Sequence, residues 1–177
     1  MKSADDLWKQ ILWQQSGATI DMLENAIRAC PEELWSDPSK KPEWVRKDVV
    51  GFWYLAFHTL FWLDYYLSES TEGFAPPSPF TTDEFDPAGL LPDRPYTKEE
   101  LLHYLEHGRQ KCRARIAGLT EEGARARCKF GPAEGTFAEL LLYSMRHVQH
   151  HTAQLNLMLR REIDSAPNWV TRAKIPL

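Results

Sequence analysis

Cysteine is scarce in this 177-residue chain: Cys30, Cys112 and Cys128 are odd in number, scattered, and show no C-x-x-C spacing. That excludes a disulfide framework and a thiolate zinc site, and it suits a reducing, cytoplasmic setting. An excess of positive charge is lacking too. Lysine and arginine number 21 against 25 acidic residues, a net charge of −4, whereas a domain that grips phosphate backbones is usually basic. No nucleic-acid partner is therefore expected. Long apolar runs are missing as well. The most apolar segment, Val49 to Leu63, is bracketed by Asp48 and Asp64 and interrupted by His58, and it falls short of the ~20 residues that span a bilayer. Neither membrane association nor a secretory leader is expected. There is no period-two alternation of a strand, no internal repeat, no Gly-rich phosphate loop and no G-x-S-x-G.

What the chain does have is apolar and aromatic mass: 43% hydrophobic residues, 12% aromatic, seven tryptophans. A chain of this length buries roughly 70% of its unfolded surface, so a single domain over residues 1–177 needs no staple to fold. Four segments carry helical character. The first runs from Ser3 to Ala29, with Ser3 and Asp6 as a capping box and Trp8, Ile11, Leu12, Ala18, Met22 and Ala26 as an apolar stripe. Cys30-Pro31 ends it, leaving at most a short turn at Glu32 to Trp35. The second runs from Arg46 to Ser68. Six of the twelve prolines fall between residues 70 and 96, so that stretch reads as a long loop of the kind that serves as a lid or binding element. The third helix opens at Thr97 with Glu100 and runs to Gly118; the fourth opens at Thr136 with Glu139 and runs to Asp164. Residues 119–135 are Gly- and Arg-rich and have no clear pattern. The fold class is all-α: a four-helix bundle with a long Pro-rich loop between helices two and three.

Six histidines carry the chemistry. His103/His107 and His147/His151 are both H-x-x-x-H pairs, a spacing that puts two imidazoles one helical turn apart, where they can reach one metal ion. At ~100° per residue, His103 and His107 fall opposite the inward cluster Leu101, Leu105, Cys112, Ile116 and Leu119, beside Glu99 and Glu106, on a solvated face. In the fourth helix Phe137, Leu141, Val148, Leu155 and Leu159 define the inward face; His151 flanks it, His147 lies one turn earlier, and His150 points outward. His58 stands among apolar residues midway in the second helix, with Tyr54, Trp62 and Tyr65 on its side, where an imidazole needs a hydrogen-bond partner or a metal. A zincin lacks its glutamate here because Val148 follows His147, a di-iron site lacks inward E-x-x-H motifs, and neither Asp48 nor Asp64 aligns with His58 for a 2-His-1-carboxylate set. Three histidines, His58, His147 and His151, remain the simplest set. Cys112 is inward and apolar in setting, an inert thiol.

These residues resemble the DinB/YfiT-like metal-binding four-helix bundles. The likeness rests on a lone histidine in an aromatic second helix (Phe57-His58-Thr59) and on the run His147-Val148-Gln149-His150-His151-Thr152-Ala153-Gln154-Leu155, which looks like the family's H-x-x-x-H-x-x-Q-L signature. Ala153 stands where many members carry Gly. The resemblance implies that His58, His147 and His151 bind one divalent cation, zinc or nickel. It also implies a small-molecule substrate and, as in members of known activity, thiol-dependent transfer or isomerisation with a low-molecular-weight thiol. Seven basic residues between Arg109 and Lys129 (Arg109, Lys111, Arg113, Arg115, Arg125, Arg127, Lys129) offer either an anchor for an anionic cosubstrate or a solvated face. The expected function is thus a metal-dependent, thiol-using transferase or hydrolase-like enzyme; the alternative is a metal-binding stress-response or binding protein without turnover. One further expectation is a homodimer. The side of the second helix away from His58 carries Trp53, Ala56, Phe57, Leu60, Leu63 and Leu67, an apolar face that either a second copy or the 70–96 loop must cover.

Overall fold

A computed structural model describes residues 4–37, 39, 51–68, 72–130 and 133–177. The long helices are α1 (Ala4–Ala29), α3 (Gly51–Tyr66), α4 (Lys98–Ala117) and α6 (Phe137–Ile163), with two short ones, α2 (Glu32–Trp35) and α5 (Glu121–Arg125). Neighbouring pairs α1/α6, α6/α3, α3/α4 and α4/α1 pack around one core, which makes a closed four-helix bundle. The expected helix starts at Thr97 and Thr136 are present as complete capping boxes, each threonine accepting from the backbone N–H of a glutamate three residues on, whose carboxylate returns to the threonine N–H. Ser3 and the stretch Arg46 to Val50 lie outside the described residues.

Two sequence expectations needed correction. Two short strands, β1 (Arg127–Phe130) and β2 (Ala133–Thr136), pair antiparallel with Arg127 opposite Thr136; four-residue strands are too short for alternation to register. Within α1, Ala18, Met22 and Ala26 are buried as expected, but Trp8 (64% exposed) and Ile11 (43%) are not. At the first turns of α1, Trp8 borders an apolar hollow with Leu119, Ala124, Ala138 and Leu142, and Ile11 lines a surface groove with Arg172 of the C-terminal segment. The core side of α1 is instead Trp13, Ile20, Leu23 and Ile27.

α3 is apolar on most of its circumference and buried except along the half-buried stripe Tyr54, His58, Trp62 and Tyr65. Trp53, Ala56, Phe57, Leu60, Leu63 and Leu67 are each at most 2% exposed within a single chain. The covering comes from α4 and from the segment between α3 and α4, described over residues 72–97 and irregular apart from a 3-10 turn at Asp83–Phe85. Phe80 of that segment stacks on Phe57 (ring centroids 6.0 Å) and on Tyr104 (4.3 Å), and Tyr96 lies 4.9 Å from Phe57. Each such buried ring contributes about 1.5–3 kcal/mol. The apolar face on which pairing was argued is filled by the chain's own loop, so that argument for a homodimer loses its basis.

Beyond α6 the chain turns at Asp164 (φ 52°) and runs back as a strap along α1. Ala173 N–H donates to Gln14 O (3.0 Å), Trp13 Nε1 to Ile175 O (2.7 Å) and Lys174 N–H to Asp21 Oδ2 (2.8 Å). The strap crosses α1 at Gly17, where a Cβ would lie 2.6 Å from Ala173 Cβ; no other residue allows so close a passage.

Candidate metal centre

α3 and α6 bring three imidazoles to one point near the middle of the bundle. His58 lies on α3, His147 and His151 one turn apart on α6, and one ligand nitrogen from each lies within 4.8 Å of the other two. The imidazole centroids are 5.3 Å apart for His58–His147, 4.9 Å for His58–His151 and 4.5 Å for His147–His151. A tetrahedral ion with Zn–N bonds of about 2.0–2.1 Å needs nitrogens about 3.4 Å apart, so small side-chain rotations close the set. His103 and His150 are exposed, as expected. His107 is exposed too, although its Nε2 lies 3.3 Å from Asp64 Oδ1. Among the described residues no further His, Cys, Asp or Glu joins the three-histidine group.

The protonation pattern fits a cation. The carboxylate of Glu84 can only accept, so His58 carries a proton on Nδ1, which donates to Glu84 Oε2 at 2.7 Å and leaves Nε2 for an ion. His151 Nδ1 donates to Gln154 Oε1 (2.7 Å), which leaves its Nε2 bare and facing His147 Nε2 at 3.1 Å. His147 Nδ1 is buried with no hydrogen-bond partner. The two Nε2 atoms therefore share a single proton at the place where an ion would be held. Burial, followed by the neighbouring histidines His151, His58 and His150, depresses His147 to about 3. Burial and then His58 depress His151 to about 4, with the Gln154 bond opposing. Both are neutral at pH 7, the form in which imidazole binds metal.

Glu84 was not legible as a site residue. It sits 26 positions after His58 on the 3-10 turn of the connecting segment, with its side chain 5% exposed. Its Oε2 also accepts from Trp62 Nε1 at 2.8 Å. Burial pushes this carboxyl up, but the bond and charge of His58, with the Tyr54 and Trp62 donors, outweigh it and hold the group below the usual carboxylate range. The only sequence signal was an acidic residue next to an aromatic one, Glu84-Phe85, inside a loop. The expected aromatic surroundings of His58 are present, with Tyr54 and Trp62 each 6.3 Å away by ring centroid.

Asp64, set aside for the metal on sequence grounds, faces α4 and accepts from Tyr104 Oη (3.0 Å) and Lys111 Nζ (2.5 Å). Asp48 lies outside the described residues. Part of the basic stretch is engaged within the fold. Arg109 is buried against Asp21, Glu24 and Glu106, Lys111 is held by Asp64, Arg125 pairs with Glu121, and Arg115 lies over the Phe137 ring. Cys112 is buried and burial pushes its thiol up to about 12, consistent with an inert role. Gln15 is exposed; its amide donates to Thr171 O, and with Arg146, His147, His150 and Trp169 it lines a cleft of about 560 Å³.

The family model described as DinB superfamily matches residues 15–155. The chain belongs to the DinB superfamily. Among curated proteins no sequence match emerged. The DinB match takes in α3 and α6 as far as Leu155 and so includes all three histidines, whereas the C-terminal strap lies beyond it.

Proposed function

We propose that this DinB-superfamily protein is a metal-dependent enzyme whose divalent cation, zinc or nickel, is held by His58, His147 and His151. The observation that carries the reading is a set of three converging imidazoles with no fourth protein ligand among the described residues. Catalytic sites leave that position to water or substrate, while structural sites fill it with a fourth side chain. When bound there, the cation supplies Lewis acidity undiminished by ligand charge and lowers the pKa of a water or thiol that reaches it toward neutrality. The chain's own residues set the stage. Glu84 and Gln154 fix which nitrogen of His58 and His151 points inward, and the aromatic rings around His58 keep bulk water from its flank. The reaction class we favour is transfer or hydrolysis of a small molecule, with a low-molecular-weight thiol as cosubstrate.

Elemental analysis of protein purified without a metal-affinity step tests the centre: the expected result is about one zinc or nickel per chain, with strong loss in His151→Ala. Turnover is tested by screening low-molecular-weight thiols with electrophilic acceptors. A metal-loaded form no faster than the stripped form with every pair would replace the enzyme by a metal-binding protein without turnover.

A further inference from the structure

The three histidines are not equally supported from behind. His147 has nothing on Nδ1, His151 has the neutral amide of Gln154, and His58 has a buried carboxylate. That carboxylate is delivered by the segment between α3 and α4, and it is firmly placed. Its Oε2 receives two N–H donors from successive turns of α3, His58 Nδ1 at 2.7 Å and Trp62 Nε1 at 2.8 Å. The next residue, Phe85, is clamped by rings of the same helix, 4.9 Å from both Phe61 and Tyr65 and 5.8 Å from Trp62. An imidazole that donates to a carboxylate has its tautomer and ring plane fixed and becomes a better electron donor at its other nitrogen. A charge-assisted bond does this more strongly than an amide.

We propose that Glu84 is a positioning residue of the metal centre. It holds His58 with Nε2 toward the ion and strengthens that nitrogen as a ligand, which makes the connecting segment a working part of the site and not only a cover for α3. This rests on the three-histidine reading above. By linkage, the ion and the docked segment then stabilise each other.

Zinc affinity measured by competition with a chromophoric chelator tests it on the full chain, with Glu84→Gln, Glu84→Ala and Trp62→Phe beside the wild type. Glutamine keeps an oxygen able to accept both N–H groups and removes only the charge, so it separates orientation from electrostatics. Glu84→Ala should weaken zinc by roughly 10–100-fold and Glu84→Gln by less, while Trp62→Phe, which removes one of the two donors to Glu84 but leaves the His58 bond, should weaken it by clearly less than Glu84→Ala. The cobalt(II) form gives a signature that mere loss of packing does not move: a slowly exchanging, paramagnetically shifted His58 Nδ1–H proton, present in wild type and Glu84→Gln and gone in Glu84→Ala. Wild-type affinity in Glu84→Ala, or equal weakening in Trp62→Phe and Glu84→Ala, overturns the assignment of Glu84 alone. A wild-type protein that takes up no zinc or cobalt overturns the three-histidine centre itself. If Glu84→Ala does not fold, the Glu84→Gln affinity decides: unchanged binding removes the role of the charge.

Discussion

Replacing Arg109 with methionine distinguishes a structural from a ligand-binding role for the basic stretch. Arg109 on α4 is 5% exposed and bonds Asp21 Oδ1 and Glu24 Oε2 of α1 and Glu106 Oε2 of its own helix. Asp21 is 1% exposed, so removing the guanidinium leaves a buried carboxylate whose remaining partner is the Lys174 N–H. Glu24 and Glu106 are 21% and 49% exposed and regain water. Breaking a buried pair from one side costs about 3–5 kcal/mol, and the surviving Lys174 bond argues for the lower end, about 3 kcal/mol. For a chain of this length 1 kcal/mol moves Tm by about 2–4 °C, so the expected drop is about 6–12 °C. Thermal unfolding with a chelator present keeps metal linkage from masking the change. Arg125→Met, which removes a pair in which both side chains are 77% exposed, should move Tm by no more than about 2 °C. If Arg109→Met matches that control, the network does not hold α1 to α4 as argued. If it keeps its Tm and loses affinity for an anionic cosubstrate instead, Arg109 is a ligand residue.

Among the histidines, His151→Ala should lose bound metal while His103→Ala and His107→Ala keep it; equal metal content in all four proteins removes the three-histidine assignment. Because His147 and His151 are depressed to about 3 and 4 in the fold, the unfolded chain binds more protons below its ordinary histidine value of about 6.5. Stability of the metal-free protein is therefore highest above that value and falls as pH drops toward 4. A His147→Gln/His151→Gln double variant should flatten this slope, and an unaltered slope in that variant would place the acid sensitivity elsewhere. Gly17→Val should displace the strap from α1 and raise hydrogen exchange at Ala173 and Lys174, with part of the loss recovered by Ala173→Gly; unchanged exchange there would mean the strap bypasses Gly17.

Much of the fold follows from short-range pattern, which acts within a few turns of one helix. Thr97 with Glu100 and Thr136 with Glu139 mark helix starts because a cap is local chemistry, and the inward faces of α4 and α6 follow from 3.6-residue spacing. The three-histidine cluster was within reach for a similar reason. His147 and His151 are bound to share a helix face, and His58 stood out as a polar group in an apolar helix. Where a helix could pack on more than one side, pattern alone misled: Trp8 and Ile11 keep the helical spacing yet stay exposed, and the outer face of α3 called for a cover without saying which. Tertiary structure answered with Phe80 and Tyr96 from the connecting segment. It also decided the partners that lie far apart in sequence: Glu84 behind His58, Asp21 against Arg109, the strap across Gly17. Such contacts depend on how an irregular segment is folded back, a path set by summed packing and not by local propensity. The imidazoles were thus specified by the sequence, and the carboxylate that aims one of them was specified only by the fold.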